Sequence, residues 1–262
     1  MMSISQGRSR RATLAGAVCA LLVTGAALTG CSEDPNEGTN GVGRLPADQI
    51  QSRAQKAAAS VGTVRLHGTV VTSGRTYTLD MRLKEKGGIG SVTTGGETFR
   101  LLRVGDELYL RAGAEFWGRG GGDGDGGSGG KDAGEGDGET DAAAADKLAS
   151  KYVKVPQGDP SYQKFIGLTD KSVLLGGLLT LHGKLATDGH HEQSGVRTIR
   201  VTGDEGAGGT LDVSLEGKPY PVRLVRAGKA GTLTFSAWGT DFPLKQPAKD
   251  DTLDYGKKLP TS

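Results

Sequence analysis

Cysteine is almost absent from this sequence. Its 262 residues include two cysteines, Cys19 and Cys31, both near the N-terminus. A disulfide framework is therefore excluded for the rest of the chain, whose stability must come from a hydrophobic core. Aromatic residues are also few, at 5%, and the formal net charge is only +2. Since this charge balance does not indicate the basic surface that nucleic acid requires, no nucleic-acid partner is predicted.

Motifs that carry catalysis or bind metals are equally scarce. The sequence GGSGG at 126–130 fits the G-x-S-x-G pattern of hydrolases, but no predicted strand precedes it and no helix follows it. Asp123 and Asp125 lack the remaining carboxylates of a calcium-binding loop. His190 and His191 lie in a segment that we predict to be a hairpin turn. We therefore predict no enzymatic activity, no cofactor and no metal site.

Glycine is the residue present in excess. The chain has 45 glycines, well above the average usage of about 7%. Many of them lie in one acidic stretch that begins at residue 118 and contains almost no large apolar side chain. Such a segment cannot bury enough apolar surface to offset the entropy of ordering it. We predict a disordered Gly/Asp-rich insertion at 118–141.

The N-terminus has the layout of a bacterial lipoprotein signal peptide. Three basic residues precede an apolar run of about 18 residues, which is short for a membrane span; they are Arg8, Arg10 and Arg11. The sequence Leu-Thr-Gly directly before Cys31 resembles a lipobox. This predicts a signal peptide at 1–30, lipidation of Cys31, and a tether at 31–45 that holds the protein on the extracytoplasmic face of the cell membrane. The alternative is an ordinary secreted protein with a chance cysteine.

The remaining chain alternates in ways that predict an α+β domain. A helical pattern opens at Pro46 and ends near Gly62. Period-two alternation then predicts a meander of strands as far as Arg111, and more strands follow between Lys184 and Trp238. We predict a curved antiparallel sheet, a half-barrel of about nine to eleven strands, wrapped over two or three helices. The single domain spans 46–256, followed by a flexible tail at 257–262.

One helical stretch is unusually apolar. The segment 161–181 contains six leucines, together with Phe165, Ile166 and Val173. These are too many for one narrow stripe, so the segment is predicted to be deeply buried, with Gly176 and Gly177 as the expected break. The inward-facing strand residues and these leucines either fill a core or line a pocket.

The order of these segments resembles the actinobacterial LppX/LprG lipoproteins, whose fold is similar to the LolA half-barrel. The resemblance is carried by Leu108, Tyr109, Phe116, Trp117, Trp238, Gly239 and Pro247 and by the leucine-rich helix. It implies a hydrophobic cavity between sheet and helices that holds the acyl chains of a lipid or glycolipid. The glycine-rich insertion departs from the family pattern and leaves open what covers the cavity mouth.

Nine side chains are the candidates for lining this cavity. They are Leu66, Leu79, Met81, Leu101, Leu108, Leu174, Leu178, Val213 and Phe235. Tyr109, Phe116, Trp117 and Trp238 could ring its entrance or pack in the core. The predicted function is that of a lipid carrier or chaperone in the cell envelope. The alternative is a structural or protein-interaction lipoprotein with a packed core and no ligand. The sequence determines neither the lipid nor a transporter partner.

Overall fold

A computed structural model describes residues 34–118, 138–256 and 259. The signal peptide, Cys31 and most of the glycine-rich insertion lie outside the described residues. The helices are α1 (Ala47–Ser60), α2 (Ala114–Gly118), α3 (Gly138–Ala149), α4 (Pro160–Thr169) and α5 (Lys171–Leu178). The strands are β1 (Thr63–Thr72), β2 (Arg75–Lys84), β3 (Gly87–Thr94), β4 (Glu97–Val104), β5 (Glu107–Arg111), β6 (Tyr152–Val155), β7 (Leu185–Gln193), β8 (Val196–Gly203), β9 (Thr210–Ser214), β10 (Pro221–Val225), β11 (Gly231–Ser236) and β12 (Thr252–Asp254).

All twelve strands form one unclosed, curved sheet. Their order is β12-β6-β5-β4-β3-β2-β1-β11-β10-β9-β8-β7. Two antiparallel meanders, β1–β6 and β7–β11, meet where β1 pairs with β11. The predicted α+β class and curved sheet are confirmed.

The sheet differs from the prediction at one edge. The short strand β12 pairs in parallel with β6, so the sheet is mixed and has one strand more than the predicted upper count. Three residues are too few to show the alternation that identifies a strand, and a parallel partner is set by the long return of the chain rather than by a local turn.

The core lies on one face of this sheet, beneath the helices. Along α1, Ile50, Ala54 and Ala58 recur at a four-residue spacing and are buried. The strands contribute every second residue, as in β2, where Leu79, Met81 and Leu83 are buried. Alternation therefore decides which residues enter the core.

The leucine-rich stretch forms two helices rather than one broken at glycine. Asp170 separates α4 from α5, and its Oδ1 accepts hydrogen bonds from the backbone N–H groups of Ser172 and Val173 at 2.9 and 3.0 Å. This is an N-cap, which starts a new helix. Gly176 and Gly177 lie inside α5. The prediction of the break was therefore wrong by about two turns.

The predicted tether is packed onto the domain over much of its length. Asn40 donates from its side chain to the Ser214 carbonyl at 3.0 Å and from its backbone to Leu215 at 2.8 Å. Val42 is buried, and a short 3₁₀ turn carries the chain on to Arg44. The predicted tether at 31–45 is therefore attached to the domain from Asn40 onward, through hydrogen bonds to the β9 end of the sheet.

Parts of the predicted disordered insertion and of the predicted flexible tail are ordered as well. Helix α3 begins at Gly138, within the insertion predicted at 118–141, because the alanine run at 142–145 strongly favours helix. In the predicted flexible tail, Leu259 is buried, and its N–H donates to Asp159 Oδ2 at 3.0 Å. The described part of the tail is thus fixed by a carboxylate that also accepts from Ser161 N–H in the first turn of α4.

None of the described helices combines the length and the hydropathy needed to cross a bilayer.

Candidate ligand-binding interior

The predicted cavity residues of the strands all meet on the inner face of the sheet. Leu66 lies opposite Met81 on one side and Phe235 on the other. The row continues through Gly90, Leu101 and Leu110. Seven of the nine candidates are no more than 3% exposed: Leu66, Leu79, Met81, Leu101, Leu108, Val213 and Phe235. Together they form the floor of an apolar interior.

The other two candidates lie in the helical layer above this floor. Leu174 and Leu178 of α5 are half-buried and pack against the core. Phe165 of α4 is also half-buried, whereas Val173 of α5 is 59% exposed. The α4–α5 layer is thus apolar on more than the side that faces the sheet, and the prediction that it is deeply buried is only partly correct.

Aromatic side chains gather at one end of the interior. Phe99 lies 5.9 Å from Phe116 and 5.8 Å from Phe165, measured between ring centroids. Phe116 meets Trp117 edge to face at 5.1 Å. Trp117 is buried, and among the described residues its indole Nε1–H has no hydrogen-bond partner. A buried donor without an acceptor is unfavourable by itself and is available to a ligand oxygen.

The four aromatic residues considered for an entrance do not form one ring. Trp238 stacks on Tyr220 at 5.0 Å and donates from Nε1 to the Pro221 carbonyl at 3.0 Å, away from Phe116 and Trp117. Tyr109 lies on the outer face beside Lys154, where burial raises the pKa of its hydroxyl above the ordinary value. Phe116 and Trp117 thus border the interior at one place, and Trp238 borders it at another, where its ring lies 6.0 Å from that of Phe235.

Two charged residues of the interior were missed by sequence reasoning. Arg103 is in register with Leu108 of β5 and Gly88 of β3, so it points to the inner face. It is 7% exposed and donates to the Thr169 carbonyl at 3.2 Å and to Asp170 Oδ2 at 3.1 Å. Its position two residues after Leu101 on an alternating strand is the sequence signal that could have found it.

Lys171 is the second of these residues. It is 4% exposed, and its Nζ donates to the carbonyls of Ala59 and Val61 at 3.1 and 2.5 Å, at the C-terminal end of α1. Burial lowers the pKa of this ammonium group below its ordinary value. The side chain satisfies carbonyls that the helix leaves unpaired. Together Arg103, Asp170 and Lys171 fix the junction of α4 and α5 against the sheet and α1.

Two surface pockets lie elsewhere. One, of about 550 Å³, is lined by Asp106, Glu107, Lys154, Asp254 and neighbouring backbone at the β6 edge. The other, of about 450 Å³, lies on the outer face of β1–β4. Neither is lined by a predicted cavity residue. The inner-face residues are packed against one another in this structure.

The histidine-rich segment differs from its prediction. His190 and His191 lie within β7 rather than in a hairpin turn, and a bulge follows Thr187. His190 Nε2 lies 3.1 Å from Asn36 Oδ1, whereas His191 Nε2 lies 2.7 Å from the Asp188 carbonyl. Within the described ranges no three His, Cys, Asp or Glu residues gather in a way that could hold a metal ion.

Comparison with known proteins relates this chain to solved structures alone. No family model matches the chain, and no curated protein matches it. It is similar to the crystal structure of LprF from Mycobacterium bovis, with 16% identity, a TM-score of 0.50, and coverage of 77% of this chain and 97% of LprF. It is also similar to the Mycobacterium tuberculosis lipoprotein LppX, with 15% identity, a TM-score of 0.43, and coverage of 76% and 99%. The likeness to LprF confirms the predicted fold.

Proposed function

We propose that this protein is a membrane-anchored envelope lipoprotein that binds the acyl chains of a lipid or glycolipid between the inner face of its sheet and the α4–α5 layer. The main support for this proposal is the exposure of apolar side chains in the α4–α5 layer. It covers an apolar floor, yet Phe165, Leu174 and Leu178 remain half-buried and Val173 is exposed. A layer that is apolar on both sides can exchange contacts with the floor for contacts with a chain inserted beneath it.

The size of the helices supports such an exchange. Helices α4 and α5 have ten and eight residues, and one residue, Asp170, separates them. A displaced α5 would lose few backbone hydrogen bonds. Each buried CH₂ gains about 0.8 kcal/mol relative to water. A lipid that leaves a membrane gains little from this term, so polar contacts to its head group or ester must supply affinity. The indole N–H of Trp117, which is unpaired among the described residues, is one such donor.

Attachment to the membrane belongs to the same proposal. The lipobox-like sequence before Cys31 would place a diacylglyceryl group on the thiol after cleavage. Two acyl chains hold a protein stably to a bilayer, whereas one holds it marginally. The protein would then act on the extracytoplasmic face of the cell membrane. Mass spectrometry of the mature N-terminus tests this, since an unmodified Cys31 would contradict it.

A second function is favoured by the packing of the interior. Seven of the predicted cavity residues are no more than 3% exposed, which suits a solid core whose outer surface binds another envelope protein. In that case Leu79→Trp should damage folding outright, because a close-packed core resists added volume. In a lipid carrier the same substitution would leave the fold intact and reduce lipid loading.

The tryptophans provide a direct test of lipid binding. The chain has two, Trp117 and Trp238, and they lie in different parts of the domain. A Cys31→Ser form that lacks residues 1–30 would be stripped with organic solvent and titrated with phospholipid. In a Trp238→Phe variant, the remaining fluorescence comes from Trp117 and should shift on lipid addition. In the matched Trp117→Phe variant, the emission of Trp238 should shift less, because its Nε1 already donates to the Pro221 carbonyl.

Two outcomes would contradict the proposal. One is the absence of any co-purifying or loadable lipid by mass spectrometry. The other is an equal shift in both tryptophan variants, which would indicate surface adsorption. We propose binding rather than catalysis as the activity, and hydrolysis of simple ester substrates by the same pure protein would overturn that part.

A further inference from the structure

The outer face of the sheet carries a basic groove that the lipid-binding interior does not use. It has a volume of about 450 Å³ and lies over β1–β4, with Tyr152 of β6 at its border. Its charged lining consists of Arg65, Arg82, Arg100 and Asp80. Three guanidinium groups therefore share one small pocket with a single carboxylate.

That carboxylate is already committed to one of the arginines. Arg65 donates from Nε and Nη2 to the two oxygens of Asp80 at 2.9 and 2.7 Å. Arg82 and Arg100 are exposed, and across the described part of the chain no carboxylate oxygen lies within 4 Å of their guanidinium groups. The groove therefore holds two arginine side chains that form no ion pair within the described domain, although Arg82 lies in the field of Asp80.

The strand register places like charges opposite each other. Arg65 lies directly opposite Arg82 across β1 and β2. Arg100 lies directly opposite Arg111 across β4 and β5, and Arg111 in turn lies 5.8 Å from the ring centroid of Tyr152. Like charges directly opposite on one sheet face are destabilising. An anion bound between these two arginine pairs would offset that repulsion.

The chemistry of the lining selects the type of anion. Arginine presents a planar fork of N–H donors that matches phosphate oxygens. Arg82 and Arg100 stand on strands two apart and are offset by two residues in register, which places their backbones about 12 Å from each other, so that their side chains can reach one tetrahedral group from both sides. Ser91 adds a hydroxyl to the lining, and Tyr152 adds an aromatic ring.

We propose that this groove binds a phosphate-bearing group through Arg82 and Arg100, with Arg65 held in place by Asp80. The group is either a free phosphate ester or the phosphate of a lipid head group. This inference is independent of the interior acyl-chain site, because the two lie on opposite faces of the sheet.

The test measures binding to the full chain, purified in a nonionic detergent, by isothermal titration calorimetry. One arm uses glycerol 3-phosphate, and the other uses micelles of the same detergent doped with phosphatidylglycerol. The test variant is Arg82→Gln with Arg100→Gln. The matched control is Arg53→Gln with Arg75→Gln, which removes the same charge from exposed positions in α1 and at the start of β2.

Wild type and control should bind. The groove variant should bind at least about tenfold more weakly, because charge-assisted hydrogen bonds are lost. This pattern with glycerol 3-phosphate assigns the site to free phosphate esters. The same pattern with doped micelles alone assigns it to lipid head groups. Equal weakening in both double variants, or no binding by wild type in either arm, overturns the proposal. If the double variant unfolds, Arg100→Gln alone replaces it.

Discussion

The two halves of the sheet use arginine on the outer face in opposite ways. In the C-terminal half, Arg200, Asp212 and Arg223 lie directly opposite one another across β8, β9 and β10. Asp212 is fully buried, with its oxygens 2.7 Å from Arg200 Nε and 3.9 Å from Arg223 Nη1. In the N-terminal half, arginine faces arginine and Asp80 is the one carboxylate of the groove.

Arginine therefore stabilises the sheet in the C-terminal half, whereas in the N-terminal half it remains available to bind a ligand. Around Asp212 the charges alternate, and Asp188 adds a further carboxylate 3.7 Å from Arg200 Nη1. That row balances itself and stabilises the sheet. Around Arg82 and Arg100 the described residues supply one carboxylate, Asp80, for three arginines, so an excess of positive charge remains.

The largest effect is expected from Asp212→Asn. The substitution keeps the shape of the side chain but leaves Arg200 and Arg223 without their buried counter-charge. Removing one partner of a buried pair is strongly destabilising, so we expect the free energy of unfolding to fall by about 3 kcal/mol. Urea denaturation followed by circular dichroism measures this. A loss below about 1 kcal/mol would show that Asp212 contributes no more than an exposed ion pair does, and would contradict the contrast between the two halves.

A smaller loss is expected from Asp80→Asn. The Arg65–Asp80 pair is well exposed, with 41% and 39% of the two side chains accessible, and solvent screens it. Pairs of this kind contribute about 0–1 kcal/mol. The same variant removes the one negative charge of the groove and should tighten phosphate binding in the calorimetric assay. Weaker binding would show that Asp80 positions Arg65 more than it competes with the ligand.

The pH dependence of that pair has a definite sign. The hydrogen bond from Arg65 is the main cause that lowers the pKa of Asp80 below its ordinary value of 3.8. The pair therefore stabilises the protein fully above that value, and the contribution disappears as pH falls through the lower folded-state pKa. The difference in unfolding free energy between wild type and Asp80→Asn should shrink as pH falls from 5 toward 3. A constant difference down to pH 3 would contradict this.

The smallest effect is a gain. Arg82→Gln with Arg100→Gln removes two like-charge pairs across the strands and should raise the unfolding free energy by a few tenths of a kcal/mol at low ionic strength. Salt screens exposed charges, so the gain should vanish in about 1 M NaCl. Arg53→Gln with Arg75→Gln should show no such gain. A destabilised groove variant would indicate that these arginines have structural partners after all.

The local sequence pattern predicted which residues enter the core but not how the helices above the sheet are organised. Alternation placed Leu66, Met81 and Leu101 on one face, because side chains in a strand point to opposite sides in turn. The same rule applied to Arg103 would have placed a charge inside. The break between α4 and α5 lies at Asp170 rather than at the two glycines, because the Asp170 side chain caps the start of a new helix.

The order of residues along the chain is enough to predict the alternation of the strands and the apolar inner face. It also shows the scarcity of thiols and the lipobox-like sequence before Cys31, which lies outside the described residues. All of these depend on the order of neighbouring residues. The three-dimensional fold brings Arg103 to Asp170, fixes Asn40 and Leu259 to the domain, and lets two arginines share Asp212. Arg82 and Arg100 have no such partner among the described residues. Pairings of this kind depend on register and strand order, which join residues far apart in the chain and leave no local signal.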